Sequence, residues 1–259
     1  MNTYFTYPSI LIGSLSTTAL LFWLHTVQTF RGLAAMSIAL ALVLGILAYR
    51  SAARGTDMFV SYMALLCAVP LGSLFLMSIA EWQSAIVLIS IIAGAGVGIV
   101  LYQLGLGDGS TLLAIKKKPL RRMTMMLWVY VGFCAIASAF AISVFFPRFP
   151  FWILLIAVAS VLGCASFFIW RLYYALTMRA AAVWILAVAI MMIEISWAIH
   201  LLPFGYFVLG LLVTWIWYIL QLLLRFHLSN EGIIWKKQRM FLGLNTVLFI
   251  LVMMVVRWI

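Results

Sequence analysis

The 259-residue chain is a succession of long apolar runs separated by short polar joints. The runs lie near residues 8–28, 32–49, 58–79, 84–105, 124–146, 151–170, 180–201, 205–224 and 240–258. Each is close to the roughly 20 residues that a helix needs to cross a bilayer core. Barrel strands would alternate lipid-facing apolar residues with lumen-facing polar ones, and these runs are continuous. In hydrocarbon every backbone N–H and C=O must find an internal partner, so continuous runs of this length predict helices. The expected fold is all-α: a polytopic integral membrane protein of about nine transmembrane helices, forming one helical domain over residues 1–259 with no soluble domain. Ser14, Ser16, Thr17, Thr18 and His25 dilute the first run, so eight spans is the alternative count. Met1–Ile10 carries no Lys or Arg, and no small-x-small cleavage site follows. The first run is therefore expected to be a retained helix, not a cleaved leader.

Composition agrees with that pattern. Hydrophobic residues make up 68% of the chain and charged residues only 8%, with a mean hydropathy of +1.24. A soluble domain is about half apolar and about a quarter charged, so lipid must be the solvent here. The net charge of +11 does not indicate nucleic acid. The basic residues are scattered in short clusters between apolar runs, and no soluble domain presents them as one phosphate-binding surface.

Their positions instead predict an orientation, because Lys and Arg collect in cytoplasmic loops. With the N-terminus cytoplasmic, the inner joints hold Arg50, Arg54, Lys116, Lys117, Lys118, Arg121, Arg122, Arg171, Arg179, Arg225, Lys236, Lys237 and Arg239. Only Arg31, Arg148 and Arg257 fall outside. That asymmetry favours nine spans with the C-terminus external. The two longest joints, residues 105–122 and 225–239, are both inner. Their basic residues, Lys116, Lys117, Lys118, Arg121 and Arg122 in one and Lys236, Lys237 and Arg239 in the other, are candidates for anionic lipid headgroups as well as topology markers.

Motifs for known chemistry are lacking. Residues Gly105 to Ser110 carry glycines but have Ser110 where a dinucleotide loop needs glycine, and an apolar run precedes them where a strand is required. His25, His200 and His227 are too dispersed for a metal site, and no cofactor is implied. Cys67, Cys134 and Cys164 each sit within an apolar run, where thiols act as small apolar packing groups. Neither a zinc-protease motif nor a nucleophile elbow is present. Gly94 and Gly98 form a small-x-x-x-small pair that lets helix backbones approach closely, and Pro203 marks a turn between spans.

One acidic residue is placed at depth. Glu194 lies some 14 residues into the seventh run, or roughly 21 Å at 1.5 Å per residue. A carboxylate there is costly and is expected to face the bundle interior or a wet cavity. Trp197 shares its helical face, whereas His200 points elsewhere, so partners are expected from other spans, with His25 and Arg31 at a compatible depth. These five residues form the expected intramembrane polar site.

The stretch Glu194-Ile-Ser-Trp197, followed by Leu202-Pro203-Phe204-Gly205-Tyr206-Phe207 and the run Trp215-Ile-Trp217-Tyr218, resembles the C-terminal third of a family of multi-pass membrane proteins from candidate-phylum bacteria. That family carries no assigned activity, so the resemblance implies fold and location without a mechanism. The expected location is a bacterial cytoplasmic membrane. The favoured reading is a non-enzymatic scaffold or partner-binding membrane component, in contact with a membrane-protein partner or a second copy of itself. The alternative is a small-solute or proton-coupled transporter using Glu194 as its ionisable site. A lipid-modifying enzyme comes third, for want of clustered polar residues at one interface.

Overall fold

The computed structural model describes residues 6–26, 38–40, 42–46, 59–106, 113–174, 178–228 and 235–255. Their regular structure is helical throughout. The helices are α1 (Thr6–Thr26), α2 (Phe59–Ile79), α3 (Gln83–Leu106), α4 (Leu113–Phe145), α5 (Phe151–Arg171), α6 (Met178–His200), α7 (Tyr206–His227) and α8 (Trp235–Val255). Residues 38–40 and 42–46 are helical as well. Among the described residues six segments are long and apolar enough to cross a membrane: Phe59–Ile79, Gln83–Leu104, Pro119–Phe145, Phe151–Arg171, Arg179–His200 and Tyr206–His227. Shorter apolar helices, Ile10–Trp23 and Leu242–Leu251, lie within α1 and α8. The chain is a helical, multi-pass membrane protein.

Two joints differ from the sequence reading. The segment expected as a loop over 105–122 is helix from Leu113 onward, continuous with the span behind it. Leu113–Arg122 is built largely of Leu, Ala, Lys and Arg, which are strong helix formers. Pro119 removes only one backbone donor from that helix. The joint at 225–239 shortens for the same reason, because α7 continues to His227 and α8 begins at Trp235.

The chain forms two compact units, Met1–Ala135 and Ile136–Ile259, with the boundary inside α4. In the first, α1 packs on α2 and α3, and α2 packs on α3. Three of the hydroxyls that dilute the first apolar run, those of Ser16, Thr17 and Thr18, are satisfied within their own helix. Thr17 Oγ1 donates to Gly13 O at 2.7 Å and Thr18 Oγ1 to Ser14 O at 3.0 Å. Back-bonding of this kind lets Ser and Thr sit in a helix surrounded by lipid. The same residues meet the glycine seam of α3. A Cβ on Gly94 would strike Thr18 Oγ1 and lie 2.8 Å from Ser14 O, and one on Gly98 would lie 3.4 Å from Ser14 Cβ. The close approach of α1 to α3 thus requires glycine at 94.

Pro70 lies inside α2, and Ser73 on the next turn donates to Val69 O at 2.7 Å and pairs with Tyr130 OH at 2.8 Å. The adjacent Gly72 leaves room for Cys134, whose Cβ would lie 3.1 Å from an added methyl. Thr124 Oγ1 reaches Gln103 Oε1 at 2.7 Å, joining α4 to α3.

In the second unit α6 packs on both α5 and α7. Gly163 admits Ile185 of α6, and Gly210 sits against Ala137, where a Cβ would come within 2.9 Å of backbone. Trp215 Nε1 donates to Asn245 Oδ1 at 2.9 Å, tying α7 to α8.

Candidate functional site

Helix α6 is apolar on nearly every side, so its orientation depends on which residues its neighbours cover. Ala181, Val188, Met192, Ser196 and Ile199 are buried against the rest of the unit. The opposite stripe, Val183, Leu186, Ile190, Glu194, Trp197 and Leu201, is exposed. The spacing of three or four residues marks one helical face. Only 22% of the Arg179–His200 span is buried, against 39–67% in the other five. Glu194 therefore stands on the least covered span, and on the uncovered side of it.

This corrects the expectation that Glu194 faces the bundle. The expectation rested on the cost of a carboxylate in hydrocarbon, but the inner face is decided by packing at positions 188, 192, 196 and 199. Among the described residues Glu194 makes no hydrogen bond or ion pair. The side chain of His25, and Arg31 entirely, lie outside the described residues. Trp197, 57% exposed, shares the face of Glu194.

His200 is turned away from both. Its ring stacks on Phe151 at 4.0 Å between centroids and lies parallel to Phe140 at 5.9 Å. Nδ1 is buried without a hydrogen-bond partner. The three described residues of the expected polar site are thus divided: Glu194 and Trp197 on the outer stripe, and His200 among aromatic rings. Pro203 is exposed in the turn between α6 and α7. Gly94 and Gly98 face α1. Of the basic residues proposed for headgroups, Arg122 and Arg239 are exposed and Arg121 is half-buried. The side chains of Lys116, Lys117, Lys118, Lys236 and Lys237 lie outside the described residues.

The polar cluster that sequence reading missed lies in the core of the second unit. Ser166 Oγ on α5 accepts from Gln221 Nε2 at 2.6 Å and from Trp217 Nε1 at 3.2 Å, both on α7, and donates to Leu162 O at 2.6 Å. All three side chains are essentially inaccessible. Gln221 Oε1 and the neighbouring Trp170 Nε1 have no hydrogen-bond partner among the described residues. The sequence signal was the i, i+4 pairs Ser166/Trp170 and Trp217/Gln221, which put polar atoms on one face of each helix. This cluster has no nucleophile–base pair and reads as a bolt between helices.

At the end of this unit where α5 and α7 finish, Tyr174 OH donates to Arg225 O at 2.7 Å. Burial pushes the Tyr174 phenol above the ordinary tyrosine range, and the nearby Arg225 partly offsets that rise. In the first unit a cavity of about 120 Å³ lies against α1, Leu40, Leu44, Gly45 and Pro70. Its walls, among them Leu21, Leu40, Met63, Leu66 and Cys67, are apolar, and cavities of this kind stay dry. Cys67, Cys134 and Cys164 are free thiols. No group of His, Cys, Asp and Glu with metal-binding geometry occurs among the described residues.

No protein-family model, curated protein or solved structure matches this chain.

Proposed function

We propose that this protein is a non-enzymatic partner-binding component of a bacterial cytoplasmic membrane. Its contact surface is the outer stripe of α6 centred on Glu194 and Trp197. The observation that carries the reading is the exposure, within a membrane-crossing helix, of a carboxylate that has no partner among the described residues. A charged side chain facing lipid is costly, by about 2.5–3.5 kcal/mol at a helix centre even on the mildest insertion scales. A stripe that keeps one is best explained by a second transmembrane helix covering it. That helix presents a basic or hydrogen-bond-donating side chain at the depth of Glu194, with Trp197 supplying the apolar contact beside it.

The arrangement in the membrane is proposed as nine spans, N-terminus cytoplasmic and C-terminus external. The six long spans, the apolar helices in α1 and α8, and the helical residues 38–40 and 42–46 support that number. The thirteen-to-three distribution of basic residues supports the orientation.

The test is residue-specific photocrosslinking in native membranes from Leu186, Ile190 and Trp197 on the stripe, with Ile156 on α5 as control. The expected result is one adduct of constant mass from the stripe positions, lost in Glu194→Leu and kept in Glu194→Gln. An adduct at twice the monomer mass would identify the partner as a second copy. Lipid adducts alone from every position would defeat the reading.

A further inference from the structure

We propose that the end of the second unit where α5 and α7 finish binds a phosphate group carried by an anionic phospholipid, gripped by Arg171 and Arg225. The Arg225 guanidinium lies over the Tyr173 ring at 4.6 Å and beside the Phe226 ring at 5.1 Å. Tyr174 OH holds the Arg225 backbone carbonyl at 2.7 Å, so both the main chain and the side chain of Arg225 are positioned by the segment that follows α5. Arg171 lies 5.7 Å from the Phe167 ring one turn earlier.

Aromatic rings occupy the faces of these guanidiniums and leave their N–H edges. Among the described residues neither guanidinium has a carboxylate or carbonyl acceptor. An edge-presenting guanidinium matches a phosphate through two parallel N–H···O bonds, and stacking spares much of the entropy of ordering it. Arg179, exposed at the start of α6, and His227, exposed at the end of α7, belong to the same end because α6 begins where α5 stops. No carboxylate is found among the described residues there.

The depth favours a lipid over a soluble anion. Arg225 lies two residues inside the end of the membrane-crossing segment Tyr206–His227, and Arg171 ends the segment Phe151–Arg171. A phosphate reaching both edges sits at headgroup level with its acyl chains alongside α5 and α7.

The purified full chain in a neutral detergent is titrated with dioleoylphosphatidylglycerol, dioleoylphosphatidylcholine or inorganic phosphate, and bound lipid is counted by native mass spectrometry. Phosphatidylglycerol is expected to be retained, with no retention of phosphatidylcholine and no competition from inorganic phosphate. Arg171→Gln and Arg225→Gln should each weaken retention about fivefold, the equivalent of about 1 kcal/mol per basic residue. Tyr173→Leu, which leaves the charge unchanged, should weaken it several-fold, and Tyr173→Phe should not. Arg148→Gln, before the opposite end of α5, should have no effect. Equal loss in Arg148→Gln, or wild-type retention in Tyr173→Leu, would overturn the site. Displacement of the lipid by inorganic phosphate would overturn the lipid as its source. Should Arg225→Gln fail to fold, the Tyr173→Leu and Tyr173→Phe pair decides alone, since neither alters a charge.

Discussion

Ser166 on α5 and Glu194 on α6 both place oxygen atoms inside membrane-crossing helices of one unit, and their surroundings are opposite. Ser166 is fully buried, accepts two hydrogen bonds from α7 and donates one to its own helix. Glu194 is exposed, and nothing among the described residues pairs with it. Both are polar groups in apolar surroundings and both need a partner, the carboxylate more than the hydroxyl because a charge costs more to desolvate. The serine meets that need within the fold. The carboxylate does not meet it among the described residues, and on the proposed reading a partner helix does. That contrast separates a polar residue that holds helices together from one that is available to a partner.

The largest effect that would sharpen the contrast comes from Ser166→Ala. It strands the Gln221 amide and the Trp217 indole N–H in the core, and should lower the unfolding free energy by about 2–3 kcal/mol, allowing for the weaker hydrogen bonds measured in membranes. Thermal or denaturant unfolding in detergent measures it, and an unchanged midpoint would mean the cluster is not a bolt.

Glu194→Leu should move stability the other way. It removes a lipid-facing carboxylate, so the isolated chain gains about 1–2 kcal/mol while partner capture is lost. A loss of stability would show that Glu194 has an acceptor or donor within the chain, and the contrast with Ser166 would collapse.

Tyr174 falls between the two extremes, paired but at the headgroup level. Tyr174→Phe removes its bond to the Arg225 carbonyl and should cost about 0.5–1 kcal/mol. Because burial raises its pKa on folding, the neutral phenol is favoured in the native state. The unfolded chain therefore loses this proton first as pH rises. The stability Tyr174 contributes is fully present below its unfolded pKa of about 10 and is lost as pH climbs through the higher folded value. Unfolding midpoints collected from pH 8 to about 11 should fall more steeply for wild type than for Tyr174→Phe.

The smallest effect belongs to Glu194→Gln, within about 0.5 kcal/mol of wild type, because the amide keeps the size and the hydrogen-bonding capacity. It should keep the photocrosslinked adduct. Its loss would mean that the ionised carboxylate is what the partner recognises.

The apolar runs determined by themselves that this chain is helical and crosses a membrane, since only helices and closed barrels satisfy their hydrogen bonds in lipid and continuous runs do not fit barrel strands. Most helix limits were legible within a few residues, because chain length and bilayer thickness bound them. The exceptions are the starts of α4 and α8. The basic run 116–122 was read as a loop from its charge, whereas helix propensity carries the backbone through it. Tertiary structure alone decided which way each helix turns. A soluble amphipathic helix marks its inner face by a polar outer one, but α6 is apolar all round. The inward packing of Val188, Met192, Ser196 and Ile199 is what sends Glu194 outward. The same holds for the Ser166 cluster. Three polar side chains separated by up to 55 positions in the chain become one site only when α5 and α7 meet, and helical periodicity carries no record of that meeting.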